Sequence, residues 1–238
     1  MARTGTSRRR TRGPRALPGA RERAAAVVDR LRAAYPAAEC ALHHRNPWEL
    51  LVATILSAQC TDERVNLTTP QLFRRWPTPA ALAGAVLEEV EEVVRPTGFF
   101  HMKALAITTM SQDVLLEHGG EIPRTMEELV ALRGVGRKTA NVVLGVAYGI
   151  PGLPVDTHVT RLSRRLRLAR PGDAESIEAE LCALVPAAEW TDLGLRLILH
   201  GRRICDARRP LCQRCVLADV CPSAGMAVRP PKGRRRAA

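Results

Sequence analysis

Lys138 and Asp156 are the residues of this 238-residue chain best suited to chemistry. Lys138 closes the stretch Leu132-Arg133-Gly134-Val135-Gly136-Arg137-Lys138, whose two glycines predict a tight turn between helical segments. Asp156 follows in Pro154-Val155-Asp156-Thr157-His158, at the expected start of the next helix. A glycine turn that opens a helix presents backbone N–H groups outward, and such donors suit a phosphate oxygen. A lysine amine beside a carboxylate makes a nucleophile and its partner. Attack needs the free amine, whereas an ordinary lysine, with a pKa of about 10.4, is protonated at neutral pH. The positive end of a helix dipole and burial beneath a bound nucleotide both disfavour the ammonium form. The carboxylate would then accept the lysine proton or stabilise positive charge developing on a sugar as a base departs. Taken singly, each residue has a plainer reading: Lys138 as a solvated charge, Asp156 as a helix N-cap.

A second constellation lies downstream. Cys205, Cys212, Cys215 and Cys221 form a Cys-x6-Cys-x2-Cys-x5-Cys pattern. The chain is expected to be cytoplasmic, where thiols stay reduced, so metal ligation is favoured over disulfides. Four thiolates suit zinc or an iron-sulfur cluster. Structural zinc sites usually show two close pairs, and only Cys212 and Cys215 make one here, which favours a 4Fe-4S cluster. Cys40, Cys60 and Cys182 are read as buried structural cysteines in helical segments. Arg202, Arg203, Arg208, Arg209 and Arg214 surround the ligands; they offset the negative charge of a thiolate-bound cluster, or the loop projects Arg208 and Arg209 at DNA phosphates.

The elements that must position these residues are helical almost throughout 20–204. Asn46-Pro47 supplies an N-cap and first-turn proline for a helix carrying Leu50, Leu51, Ile55 and Leu56. A helix from near Thr61 ends before Pro77, and Thr78-Pro79 starts another. Val86, Val90, Val93 and Val94 mark one face of a short helix that stops at Pro96-Thr97-Gly98. Further helices are expected at about 99–118, 125–133, 137–149, 157–168, 174–185 and 189–204, so the fold class is all-α. Gly119-Gly120, Gly149 to Pro154 and Pro171-Gly172 separate helices.

A net charge of +12 suggests nucleic acid as a partner, yet residues 1–15 carry six arginines and 229–236 five Lys or Arg, leaving about +1 for the body. The tails are solubility devices or nonspecific DNA tethers. Local basic clusters are better evidence: Arg161, Arg164, Arg165, Arg167 and Arg170 after Asp156, and Arg133, Arg137 and Lys138 at the glycine turn. No apolar run is long enough to cross a bilayer, so no membrane partner is expected.

Leu132 to Asn141, Val155-Asp156-Thr157-His158-Val159 and the four-cysteine loop together resemble the endonuclease III family, bifunctional DNA glycosylases and abasic-site lyases of the helix-hairpin-helix superfamily. The resemblance runs from about residue 22 to residue 226. It implies a two-lobed fold: a six-helix lobe at 40–150 with the helix-hairpin-helix at about 125–149, and an iron-sulfur lobe from 20–39 plus 151–226. Residues 1–19 and 227–238 are then basic flexible tails, and double-stranded DNA with damaged bases or abasic sites lies between the lobes of a monomer. By resemblance Lys138 is the nucleophile that forms a Schiff base with the sugar C1′, Asp156 is its carboxylate, and Cys205, Cys212, Cys215 and Cys221 hold a 4Fe-4S cluster. Gly134, Val135, Gly136 and Arg137 would contact the DNA backbone. Ser57, Thr61, Asp62 and His158 would line the lesion pocket, with Gln59 filling the stack vacated by a flipped nucleotide. Phe99 stands where the family commonly has a leucine wedge, and Arg133 where it has proline.

The implied activity is removal of oxidised pyrimidines followed by β-elimination at the abasic site. Pyrimidine-dimer and mismatch glycosylases share the fold, and a non-catalytic DNA-binding or redox-sensing iron-sulfur protein is the rival of another class.

Overall fold

A computed structural model describes residues 16–226; residues 1–15 of the expected tail 1–19, and the whole of the expected tail 227–238, lie outside the described residues. Among the described residues every regular element is helical. The first helix, α1 (Ala20–Ala34), buries Ala24, Val27, Val28 and Leu31. Helix α2 (Pro47–Leu56) starts as its residues dictate: the Asn46 side chain accepts from the Glu49 N–H at 2.9 Å, and the Glu49 carboxylate returns a bond to the Arg45 N–H at 2.8 Å. Every residue from Trp48 to Leu56 is buried, so α2 is a central helix and not the one-faced helix its pattern suggests.

Around it pack α3 (Asp62–Arg75), the single-turn α4 (Pro79–Ala83), α5 (Leu87–Val94) and α6 (Phe100–His118). Thr61 and Thr78 cap α3 and α4, and Pro79 occupies the first turn of α4. Val90, Val93 and Val94 face inward, whereas Val86 is the exposed N-cap of α5 rather than part of its apolar face. A 3-10 turn, Arg95–Thr97, leads to Gly98 with φ +71°. Helix α7 (Met126–Ala131), capped by Thr125, precedes the glycine turn and α8 (Arg137–Val142). The interval 40–150 thus holds seven α-helices where six were expected, α4 being only five residues long.

The expected helix 137–149 is α-helical only to Val142, and Val143–Ala147 continue as a π-helix. A long-range contact lies against this segment: a Cβ on Gly145 would meet Thr191 Oγ1 at 2.4 Å. The Thr191 hydroxyl also donates to the Gly152 carbonyl at 3.1 Å. Wide turns of this kind recur near functional sites.

Beyond it come α9 (Thr157–Arg165), α10 (Ala174–Cys182) and α11 (Trp190–Arg203), then a loop containing four cysteines. Two hydrophobic cores result. One gathers residues from Leu42 to Leu144; the other joins Ala24–Leu31 to residues between Leu153 and Leu217. The chain therefore returns its first helix to pack with its last, and ion pairs cross the middle. Arg137 of α8 pairs with Glu178 of α10 through two bonds, 2.9 and 2.8 Å, and Arg202 of α11 pairs with Asp62 of α3 at 2.6 Å.

Gly145→Ala is expected to destabilise the protein by about 1–3 kcal/mol through overpacking against Thr191, read from urea or thermal unfolding. Recovery of part of that loss in Gly145→Ala/Thr191→Ala would assign it to this contact, and an unchanged midpoint in the single variant would refute it.

Candidate active site and cysteine centre

Lys138 lies in the first turn of α8, and the backbone around it explains the spacing of the glycines. Gly134 has φ +77°, a left-handed conformation that a side chain disfavours, and a Cβ there would also meet Ala106 at 3.0 Å. Gly136, the N-cap, has nothing within 4 Å of such a Cβ and provides no side-chain cap. The first N–H groups of α8 are thus left for an outside acceptor, and the missing side chain leaves open space in front of them. Val135 is buried and fixes the turn through its N–H to the Leu132 carbonyl at 3.1 Å.

Asp156 is the N-cap of α9. Its Oδ1 accepts from the N–H groups of His158 and Val159, both at 2.8 Å. Capping and a second role are compatible, because both bonds end on one oxygen and leave Oδ2. Lys138 and Asp156, contributed by the two halves of the molecule, line one cavity of about 90 Å³. Asp62 lines it too, held by Arg202. Burial pushes the thiol of Cys40, on the same wall, upward, with nearby Lys138 and Arg202 opposing that shift.

Several expected site residues lie elsewhere. Of the four pocket candidates only Asp62 shares the cavity with Lys138 and Asp156. The Ser57 hydroxyl closes α2 by donating to the Thr54 carbonyl at 2.8 Å, and Thr61 caps α3. His158 packs against Gly201 and lies 3.0 Å from the Arg161 guanidinium. Arg137, half exposed, pairs with Glu178, and the hydrogen bond to that carboxylate raises its pKa. Three of the five arginines after Asp156 have internal partners: Arg161 donates to the carbonyls of Cys205 and Gly201, Arg164 to Gly172, and Arg165 to Asp206 and Ala207.

Gln59 and Phe99, like Arg167, are exposed non-glycine residues with positive φ, 53° and 48° for the first two, and Phe99 is 66% exposed. Left-handed backbone at such residues is uncommon and costs conformational energy. Below Phe99, buried Lys103 donates to the Thr97 carbonyl at 2.7 Å and anchors the turn that precedes it.

The wall of the cavity formed by Leu195, Ile198, Leu199 and Arg202 has no counterpart among the expected residues. The i, i+3, i+4, i+7 spacing was a readable signal of one helix face, but not of what that face would meet. Cys40 and Cys60 lie in loops, not helices, and only Cys182 is helical; all three are half-buried. Burial, reinforced by Glu178, pushes the Cys182 thiol up to about 12.

The other four cysteines line a second cavity, of about 260 Å³. Among the described residues no group of His, Cys, Asp or Glu is placed to hold a single metal ion. Four soft thiol donors converging on one cavity are the donor set that an iron-sulfur cluster needs. Burial raises the thiols of Cys215 and Cys221, so a cationic centre among them is what would keep them as thiolates. Arg165 Nη1 reaches Cys205 Sγ at 3.2 Å, and the Leu217 N–H reaches Cys215 Sγ at 3.4 Å. Asp206 shapes the intervening loop by accepting from the N–H groups of Arg208 and Arg209, both at 2.8 Å, which lowers its pKa and leaves both arginines exposed.

Comparison with known proteins agrees with this geometry. Residues 52–187 match the HhH-GPD superfamily base excision DNA repair protein, and residues 205–221 match the iron-sulfur binding domain of endonuclease III. Endonuclease III of Synechocystis sp. is 49% identical over 211 residues, covering 88% of this chain and 96% of its own. The chain belongs to the endonuclease III family. The endonuclease III of Bacillus subtilis is 44% identical, covering 82% of this chain and 89% of its own. A solved trapped endonuclease III-DNA covalent intermediate superposes with a TM-score of 0.83 at 40% identity, covering 86% of this chain and 96% of that one. As a member of this family the chain is a base-excision-repair DNA glycosylase and abasic-site lyase with a 4Fe-4S cluster, and its partner is DNA. No helix among the described residues is long and apolar enough to cross a membrane.

Asp156→Ala is expected to cost about 1 kcal/mol of stability through loss of the cap, and Asp156→Asn only a few tenths. Equal unfolding midpoints for Asp156→Ala and the wild type would contradict the capping geometry.

Proposed function

We propose that this endonuclease III relative removes oxidised pyrimidines from duplex DNA and nicks the strand, with Lys138 as nucleophile and Asp156 as its proton-handling partner. The observation that carries this reading is the shared cavity: an amine from the hairpin half and a carboxylate from the cluster half line the same small space. In the first step the Lys138 Nζ lone pair forms a bond to C1′ as the bond from C1′ to the base breaks; the base leaves with that electron pair and takes up a proton. Asp156 takes a proton from the attached nitrogen and delivers it to O4′ as the nitrogen lone pair opens the C1′–O4′ bond, and the resulting protonated Schiff base makes the C2′ hydrogens acidic. Loss of one of them expels the 3′ phosphate by β-elimination, and water releases the lysine.

The remaining roles follow the same reading. The uncapped N–H groups of α8 behind Gly134 and Gly136 take a DNA phosphate, with Val135 as the buried anchor of that turn. Gln59 fills the gap left by the extruded nucleotide and Phe99 wedges the opposite strand; their exposed positions support this. Exposed Arg208 and Arg209 track the phosphate chain. Cys205, Cys212, Cys215 and Cys221 hold the cluster, which keeps this basic loop folded. The enzyme acts as a monomer in the cytoplasm, on the nucleoid in a bacterial host.

Borohydride reduction during reaction with duplexes carrying an abasic site, a thymine glycol or a pyrimidine dimer tests the assignment. A covalent adduct is expected with the first two substrates and its complete loss in Lys138→Ala. An undiminished adduct in that variant would overturn the lysine's role, and trapping on the dimer alone would overturn the substrate class.

A further inference from the structure

His200 is 1% exposed, in the last turn of α11, and both ring nitrogens have partners. Nε2 lies 3.3 Å from Cys215 Sγ, and Nδ1 lies 2.9 Å from the Tyr35 hydroxyl. The Tyr35 ring also meets the imidazole edge to face, centroids 5.8 Å apart at 70°. A cysteine that ligates iron is a thiolate and has no proton to give. Nε2 must therefore carry the hydrogen of this contact and donate it to sulfur, whatever occupies Nδ1. In the neutral ring Nδ1 is then an acceptor, and the phenol O–H donates to it. The direction of both bonds is fixed by the chemistry of the sulfur.

We propose that His200 is a positioning residue for the iron-sulfur centre: its Nε2–H polarises and orients Cys215, while Tyr35 holds the ring in register. Tyr35 is itself fixed at the end of α1, its N–H donating to the Leu31 carbonyl at 2.8 Å and its own carbonyl accepting from Arg196 Nε at 3.3 Å. The chain of bonds thus runs from the first helix, through the last, to one ligand. Cys215 also accepts from the Leu217 N–H, so it receives two donors, and Cys205 receives one from Arg165. Hydrogen bonds to ligand sulfur favour the more negative, reduced form of a cluster and weaken the iron–sulfur bond slightly. His200 therefore raises the reduction potential of the bound cluster and lowers the Fe–S(Cys215) stretching frequency.

Resonance Raman spectra and reduction potentials of the purified holoproteins test this without reference to turnover. His200→Leu fills the space with an apolar side chain of related size and removes the donor; it should move Fe–S(Cys) bands upward and the potential downward. His200→Gln, whose amide N–H can reach the same sulfur, should restore both toward wild type, a rescue that a mere packing role does not predict. Wild-type bands and potential in His200→Leu would overturn the proposal. Should that variant not retain its cluster, Tyr35→Phe decides: a smaller shift in the same direction supports the tether, and unchanged values refute it.

Discussion

Lys138 and Asp156 belong to different halves of the molecule, and everything else in the fold serves to bring the starts of α8 and α9 to one cavity. A helix start is a place where backbone donors are unsatisfied and an anion is welcome. Here one start is left open in front of Gly136, and the other is closed by Asp156 itself. An open helix N-terminus thus stands beside one closed by a fixed carboxylate. It holds only as long as the halves keep their relative position. The ion pairs Arg137–Glu178 and Arg202–Asp62 cross between the halves on α8–α10 and α3–α11, and Asn141 adds a buried bond to the Leu153 carbonyl at 3.2 Å.

The cluster loop is joined to the same machinery. Arg161 and Arg165 leave α9, the helix that Asp156 caps, and end on carbonyls of the loop that carries Cys205. Their role is inward: they tie the cysteine centre to the helix that orients the carboxylate. Arg30 of α1 adds a further tie, to Asp219 and the Val216 carbonyl. Several arginines of this half thus have structural partners, while Arg208, Arg209 and Arg214 are exposed on the loop.

Local signals made the elements legible. Asn46-Pro47, Thr61, Thr78-Pro79, Thr125 and Asp156 each begin a helix because a side chain two or three residues ahead of a free N–H can satisfy it. The four cysteines were legible through spacing, and the resemblance of the hairpin and the Val155–Val159 segment pointed to the family. Other features depend on partners far away in the chain. Glu178 pairs with Arg137 across the halves, Thr191 lies against the π-helical segment at Gly145, and Gly201 lies against His158 from α11. The wall of Leu195, Ile198 and Leu199 is apolar periodicity whose destination no local pattern encodes. The strained backbones of Gln59 and Phe99 likewise appear only in three dimensions, although both residues were chosen from the sequence.

The central claim is that one amine, at the mouth of α8, makes the covalent bond to DNA. Its most direct test is to reduce the reaction intermediate with an abasic-site duplex, digest protein and DNA, and locate the sugar remnant by tandem mass spectrometry. The remnant should map to the peptide containing Lys138. Attachment to Lys103 or to the N-terminal amine would contradict the account.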